Sequence, residues 1–228
     1  MSQRILIRPT PWDARALDIP TWELLEYSEE ALRQATLKHG HYTVKVNPLA
    51  DKSLLHYYGF YYCDTLIEPN CEGGRLRTIR HPSATLSKDF ELRAVLEICD
   101  GAFMHGRFHR DFNIGSENAD SRYVRWLTDL AELNQVYGLF WDDVLAGFIG
   151  YDKNSLVLHA VSDTHKGKGY SKYWWSLVCS DLIDEGCDEI KSSISATNLS
   201  ALNLYSSLGF SFRSPLDIYQ WLNSDKQG

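Results

Sequence analysis

Three runs in the second half of the chain concentrate or alternate apolar residues in the manner of strands: Val136–Trp141, residues 144–151 and Ser155–Val161. Only Asp142-Asp143 and Asp152-Lys153-Asn154 separate them, and connections that short predict an antiparallel meander. After a loop from Asp163 to Gly169 the period changes. Trp175, Val178, Cys179 and Leu182 fall at i, i+3, i+4 and i+7, which predicts a helix over 170–184 stopped near Gly186. Residues 188–196 read as a strand, Asn198 caps a short helix to Leu208, Gly209 ends it, and 210–222 read as a last strand. The predicted order is β-β-β-loop-α-β-α-β.

The first half is less regular. Tyr123, Trp126, Leu127 and Leu130 share one face of a helix predicted over 121–133. Residues 101–118, rich in Arg, His and Gly, read as a joint between an N-terminal α/β half (1–100) and a C-terminal domain (101–228). Within the first half, 22–38 read as a helix stopped by Gly40, Tyr42, Val44 and Val46 alternate as a strand, and 53–58 read as a helical turn. The segment Leu54-Leu55-His56-Tyr57-Tyr58-Gly59-Phe60 echoes Leu204-Tyr205-Ser206-Ser207-Leu208-Gly209-Phe210 when the Gly-Phe pairs are superposed. Either the first half is a degenerate copy of the second, with Leu55 in place of Tyr205, or two helices simply end alike before a strand.

Composition narrows the class. With 228 residues, 44% hydrophobic and 23% charged, the chain is a globular protein of one large or two small domains. Its formal charge is 23 − 30 = −7, which speaks against general nucleic-acid binding but allows a local basic patch for a phosphorylated ligand. No run of uncharged apolar residues is long enough for a membrane span, and Met1-Ser2-Gln3-Arg4 does not open a secretory signal. The cysteines (63, 71, 99, 179, 187) are odd in number and form no C-x-x-C. Free thiols in a reducing cytoplasm fit better than disulfides or a zinc site, so the Asn198-Leu199-Ser200 sequon is expected to stay unglycosylated. No metal motif such as H-E-x-x-H is present.

Chemistry concentrates in two segments. In Lys166-Gly167-Lys168-Gly169-Tyr170-Ser171, two glycines let a backbone approach a ligand closely, and the helix that follows adds its positive N-terminal end. Lys166, Lys168 and Lys172 add positive charge; a solvated surface turn is the other reading. The loop follows a meander rather than a βαβ unit, which argues against a dinucleotide fold. The second segment has the spacing N-x-x-A-x-x-L-Y-x-x-x-G-F through Asn198, Ala201, Leu204, Tyr205, Gly209 and Phe210.

Together, over about residues 101–228, these segments resemble the Gcn5-related N-acetyltransferase (GNAT) superfamily. Its pyrophosphate motif Q/R-x-x-G-x-G/A corresponds to Lys166 through Ser171, with Lys and Ser replacing the usual end residues. The resemblance implies a mixed α/β fold, a mostly antiparallel central sheet flanked by helices, preceded by a partial GNAT-like half. It implies acetyl-CoA as cosubstrate, held by the backbone of Ala160 and Val161, by Lys166, Gly167, Lys168, Gly169, Tyr170 and Ser171, and by Asn198. Tyr205 takes the position of the general acid that protonates the departing thiolate.

Upstream, Arg107-Phe108 followed by Tyr123 and Trp126 resembles acetyltransferases of nucleotide-linked aminosugars, of the dTDP-fucosamine kind. That likeness implies a dTDP-linked 4-amino-deoxysugar as acceptor and Arg107 and Phe108 as residues that meet it. A homodimer is compatible. Other acceptors, a peptide, an amino acid or an antibiotic amine, stay open, as does a CoA-binding module without catalysis. His159 alternates with Leu158 on its strand and either points into the cleft as a base or is an ordinary strand histidine. Arg107, His109, Arg110 and Asp111 suit a diphosphate or a solvated joint equally.

Overall fold

The computed structural model describes residues 5–104 and 106–224; residues 1–4, with the N-terminal reading above, and His105 in the joint lie outside the described residues. In chain order the elements are β1 (Ile7–Pro9), α1 (Pro11–Leu17), β2 (Thr21–Leu24), α2 (Glu29–Ala35), β3 (Gly40–Val46), α3 (Ser53–Tyr57), β4 (Tyr61–Glu72), β5 (Ala84–Ser87), α4 (Leu92–Cys99), α5 (Ser116–Glu132), β6 (Val136–Trp141), β7 (Val144–Asp152), β8 (Ser155–Val161), α6 (Ser171–Asp184), β9 (Glu189–Ser192), β10 (Ile194–Ser195), α7 (Leu199–Ser207) and β11 (Ser211–Asn223). They form two compact units, one of residues 1–66, 104–122 and 215–228, the other of 67–103 and 123–214. The chain passes between them four times, within β4, after Phe103, within α5 and within β11.

In the first unit β1 runs antiparallel to β2, β2 parallel to β3, and β3 antiparallel to the end of β11. Parallel neighbours need a crossover, and α2 supplies it. The helix predicted over 22–38 is corrected here. Its first residues are strand β2, and the helix starts only at Glu29, where the Ser28 side chain accepts from the Ala31 N–H. The strand prevails at the start because β2 pairs with β3 residue by residue, which puts Leu24 into the apolar core and buries Thr21 on the opposite face. Along β3, Tyr42, Val44 and Val46 point into a core with Leu24, Leu32, Leu55 and Phe60. His41, Thr43 and Lys45 therefore face the other way.

In the second unit β5, β6, β7 and β8 form an antiparallel run, and β8 is parallel to β9 with α6 as crossover. Asp142 and Asp143 both have positive φ, 47° and 63°, as a two-residue hairpin turn requires. The predicted stripe of α6 is buried, and Trp174 is buried beside it. The helix predicted from residue 121 begins a turn earlier at Ser116, and residues 101–118 are correspondingly shorter as an irregular segment. The strand predicted over 188–196 breaks into β9 and β10. Helices α1 and α4 and strands β4 and β5 add to the elements predicted from the sequence, and in α4 Leu92, Val95, Leu96 and Cys99 carry the same i, i+3, i+4, i+7 spacing as α6.

The echo between the halves has a common geometry. Gly59 and Gly209 end α3 and α7 at φ 82° and 93°. In each case the following Phe N–H bonds back five residues, Phe60 to Leu55 O at 2.8 Å and Phe210 to Tyr205 O at 3.1 Å. The chain thus repeats strand, crossover helix, parallel strand, short helix, glycine stop and long strand, as β2-α2-β3-α3-β4 and, with the short β10 interposed after β9, as β8-α6-β9-β10-α7-β11.

Candidate active site

The site in the second unit starts from one irregularity in β8. Gly150 pairs with Leu158, but Tyr151 pairs with Leu156, so Val157 is the extra residue of a β-bulge. Before the bulge β8 is laddered to β9 at Ser155↔Lys191 and Leu156↔Ser192, and the ladder consists of those two pairs. After it the hydrogen-bonding parity is set by β7: the Ser162 N–H donates to Ala146 O at 2.8 Å. By alternation Leu158 and Ala160 bond β7, whereas His159 and Val161 turn their backbone groups toward the open edge. Of the two strand residues expected to grip a pantetheine arm, Val161 presents N–H and C=O there and Ala160 is engaged with β7. Gly147 lets β7 lie close at this point, since a Cβ on it would meet Ala160 O at 2.4 Å.

The glycine loop leaves the end of this edge. Ser162 O accepts from the N–H groups of His165 and Lys166, both at 2.9 Å, closing a turn. Gly167 and Gly169 each sit at φ 75° with nothing within 4 Å of a built Cβ, so the space over them is open. Helix α6 begins with Tyr170 as its N-cap and no side-chain capping bond, which leaves first-turn N–H groups available to an anion. Lys166 is paired with Asp163 at 2.7 Å on the surface. The Tyr170 ring stacks on Trp141 at 3.6 Å, so this residue offers a loop backbone rather than an aromatic face. Asn198 caps α7, its Oδ1 accepting from the Ala201 N–H at 3.1 Å, and that role already explains it structurally.

Tyr205 is fully buried, with its hydroxyl among three partners: Trp175 Nε1–H donates to it at 3.4 Å, His159 Nε2 lies 3.3 Å away, and the Ser192 side chain also hydrogen-bonds it. Burial pushes the phenol above its ordinary range, so it is protonated at neutral pH. Burial pushes the His159 imidazole down to about 4. Trp175, whose helix stripe looked like plain core, is the site residue that sequence reasoning missed, and stripe position alone carries no signal of it. Arg107 and Phe108 belong to the first unit. Phe108 is buried there, with the guanidinium groups of Arg107 and Arg122 at 4.9 and 4.6 Å from its ring. Among the described residues no group of three or more His, Cys, Asp or Glu is placed to hold a metal.

The His159 shift predicts an acid-sensitive fold. An imidazole neutral in the folded state down to about 4, and protonated in the unfolded chain below 6.5, makes the unfolded state bind more protons between those values. Stability is therefore lost as pH falls through that window, by up to about 3 kcal/mol at one proton per molecule. Urea unfolding of wild type and His159→Gln from pH 7 to pH 4 should show this step in the former only. Equal pH dependence in both would contradict the burial of the ring.

A mostly antiparallel mixed sheet with a bulged strand and a glycine loop at the next helix is the arrangement expected of the GNAT fold. Residues 102–210 match the family model for the acetyltransferase (GNAT) family, and the protein is an acyltransferase. Acetyl-CoA is the cosubstrate of that family. Solved structures share the fold at low identity. A GCN5-related N-acetyltransferase from Sphaerobacter thermophilus is 11% identical, with a TM-score of 0.64 over 95% of this chain and 76% of that one. A tandem GNAT protein from the clavulanic acid biosynthesis pathway is 10% identical (TM-score 0.56, 91% and 77%). An acetyltransferase of the GNAT family from Novosphingobium aromaticivorans is 15% identical (TM-score 0.55, 96% and 89%). No curated protein matches the sequence. No helix among the described residues is long and apolar enough to cross a membrane.

Proposed function

We propose that the protein transfers acetyl from acetyl-CoA to the amino group of a nucleotide-linked aminosugar, with a dTDP-linked 4-amino-deoxysugar the acceptor to test first. The observation that carries acetyl transfer is the open edge of β8 beyond the Val157 bulge, with the glycine loop at one end and Tyr205 beneath it. The pantetheine arm of acetyl-CoA would take the ladder position that β9 leaves vacant, against Val161 and His159. Its pyrophosphate would sit over Gly167 and Gly169, where no side chain stands and the α6 N–H groups point out. Those backbone donors, with Lys168 beside them, fit the group.

Tyr205 supplies the proton that the departing thiolate requires, and its raised affinity for that proton keeps it loaded. His159, neutral and weakly basic, suits a hydrogen-bond partner that orients the phenol better than a base for an amine. The attacking amine then loses its proton to water, and the Tyr205 phenolate regains one from solvent when the products leave. The aminosugar acceptor is supported by Arg107 and Phe108 in the stretch that resembles enzymes of that kind. The first hundred residues read as a degenerate copy of the catalytic half, supported by the repeated crossover and glycine stop. Five cysteines outside any disulfide, four of them buried, suit a cytoplasmic setting.

Purified protein with acetyl-CoA should release free CoA when offered a dTDP-4-amino-deoxysugar. Release with peptides or polyamines but not with that sugar overturns the acceptor and leaves acetyl transfer standing. Saturable CoA binding without turnover on any amine in a broad screen reduces the protein to a binding module.

A further inference from the structure

On the face of the first unit's sheet away from its apolar core lies a cavity of about 180 Å³. Its floor is strand residues that alternate out of that core, Thr21, His41, Thr43 and Lys45 among them, and its walls include Trp12, Arg107 and Phe108. Polar side chains more than nine-tenths buried reach it: Thr10, Thr21, Asp13 and His41. Thr10 and Thr21 bond each other at 2.6 Å, so what these side chains offer an occupant is their remaining hydrogen-bonding capacity.

The charges in this wall are unequal. Arg8, Lys45 and Arg107 face two carboxylates, Asp13 and Glu23. Asp13 is already engaged by Arg122 Nε at 2.7 Å, from outside the lining. Glu23 alone serves both Arg8 and Lys45, the latter at 3.0 Å, and the two cations hold its carboxyl below the usual range despite the opposing effect of burial. His41 is held through Nε2 by Asp111 Oδ2 at 2.7 Å, and Asp111 is fixed in turn by Tyr61 Oη at 2.8 Å and the Asn113 N–H at 2.9 Å. The ring that borders the cavity is thus oriented, with Nδ1 as its second polar atom. In a chain with a formal charge of −7, this is a built, cation-rich recess.

We infer that this cavity binds a small oxyanion-bearing molecule, with Lys45, Arg8 and Arg107 as its charge partners, His41 as an oriented polar contact and the Trp12 ring as a lid. Trp12 is 47% exposed at the rim, placed to cover an occupant. The oxyanion is a phosphate or a carboxylate, and a volume of about 180 Å³ holds one such group with a few carbons rather than a whole nucleotide. The inference shares Arg107 with the acceptor reading above, but it rests on the cavity, and its test requires no turnover.

Full-length protein saturated with CoA, so that the glycine loop is occupied, is titrated calorimetrically with inorganic pyrophosphate and glycerol 2-phosphate in one arm and with L-glutamate and succinate in the other. Saturable binding near one site per chain in either arm is expected, and the arm identifies the oxyanion. Lys45→Glu should weaken it by about ten-fold or more, the scale of a lost charge-assisted contact, with CoA affinity unchanged. Arg8→Gln, at a half-exposed position, is the second variant should Lys45→Glu fail to fold. Absence of saturable binding in both arms overturns the inference, as does wild-type affinity in a folded variant.

Discussion

Tyr205→Phe is expected to lower kcat by about 10²–10⁴-fold while leaving acetyl-CoA affinity at the wild-type value. The ring is wholly buried in the second unit's core and packs edge-on against Phe210 at 4.9 Å, and phenylalanine keeps that packing. Only the hydroxyl goes, and with it the proton that the departing thiolate takes. Loss of the oxygen also strips Trp175 Nε1–H of its acceptor, but at 3.4 Å that bond is long, so the cost to stability is about 1 kcal/mol. The separation of effects is the informative part. Single-turnover rates should fall with kcat, because the missing proton is needed in the chemical step, whereas calorimetric binding of acetyl-CoA should not move. An unchanged rate would remove Tyr205 from the mechanism, and a rate loss matched by lost binding would make it a packing residue.

Much of the second unit was legible because its local signals agree with its tertiary environment. The meander was visible from the short polar turns between apolar runs, and α6 from a stripe at 3.6 spacing that is buried as the pattern requires. The cap at Asn198 and the stop at Gly209 are local devices, and both are where the sequence places them. The errors have physical causes. Trp22 and Leu25 have the spacing of one helix face, Trp22 and Leu24 that of one strand face, and only pairing with β3 decides between them. The Val157 bulge is set by register between two strands, a non-local quantity with no residue signature. The Trp175–Tyr205–His159 cluster joins α6, α7 and β8, residues 30 and 46 positions from Tyr205, so spacing along the chain carries no trace of it. The cavity of the first unit is built likewise, from strand residues whose polar alternation looked like an ordinary solvated face.

Comparison of the repeated crossovers explains why one half carries the cofactor features. In the first unit β2 is paired with β3 over all four of its residues, so no edge is left open for a pantetheine arm. Helix α2 has its first turn closed by Ser28 and carries Glu29 and Glu30 there, which repel a pyrophosphate. Leu55 stands where α7 has Tyr205 and has no proton to give. Zippered strands, an acidic capped helix and a missing phenol set the first unit apart from the second at the three features proposed to serve the cofactor.

The second large effect follows from that contrast. Calorimetry should find one CoA per chain, and Gly167→Val with Gly169→Val should weaken that binding by about 10²-fold or more. Both glycines sit at φ 75°, where an L-residue with a Cβ is disfavoured by roughly 1–2 kcal/mol each. A branched side chain either keeps that conformation at a cost or relaxes the loop and turns its N–H groups away from the phosphates. In both cases it also fills the space that lies open above the loop. The fold itself should survive, because a Cβ at either position meets nothing within 4 Å and the loop is exposed. Gly147→Ala is the counter-case. There a Cβ meets the Ala160 carbonyl oxygen at 2.4 Å, so β7 and β8 must part and stability falls together with binding. A loop variant that bound CoA as tightly as wild type would move the pyrophosphate seat away from α6. Two CoA molecules per chain would instead mean that the closed β2–β3 edge opens in solution.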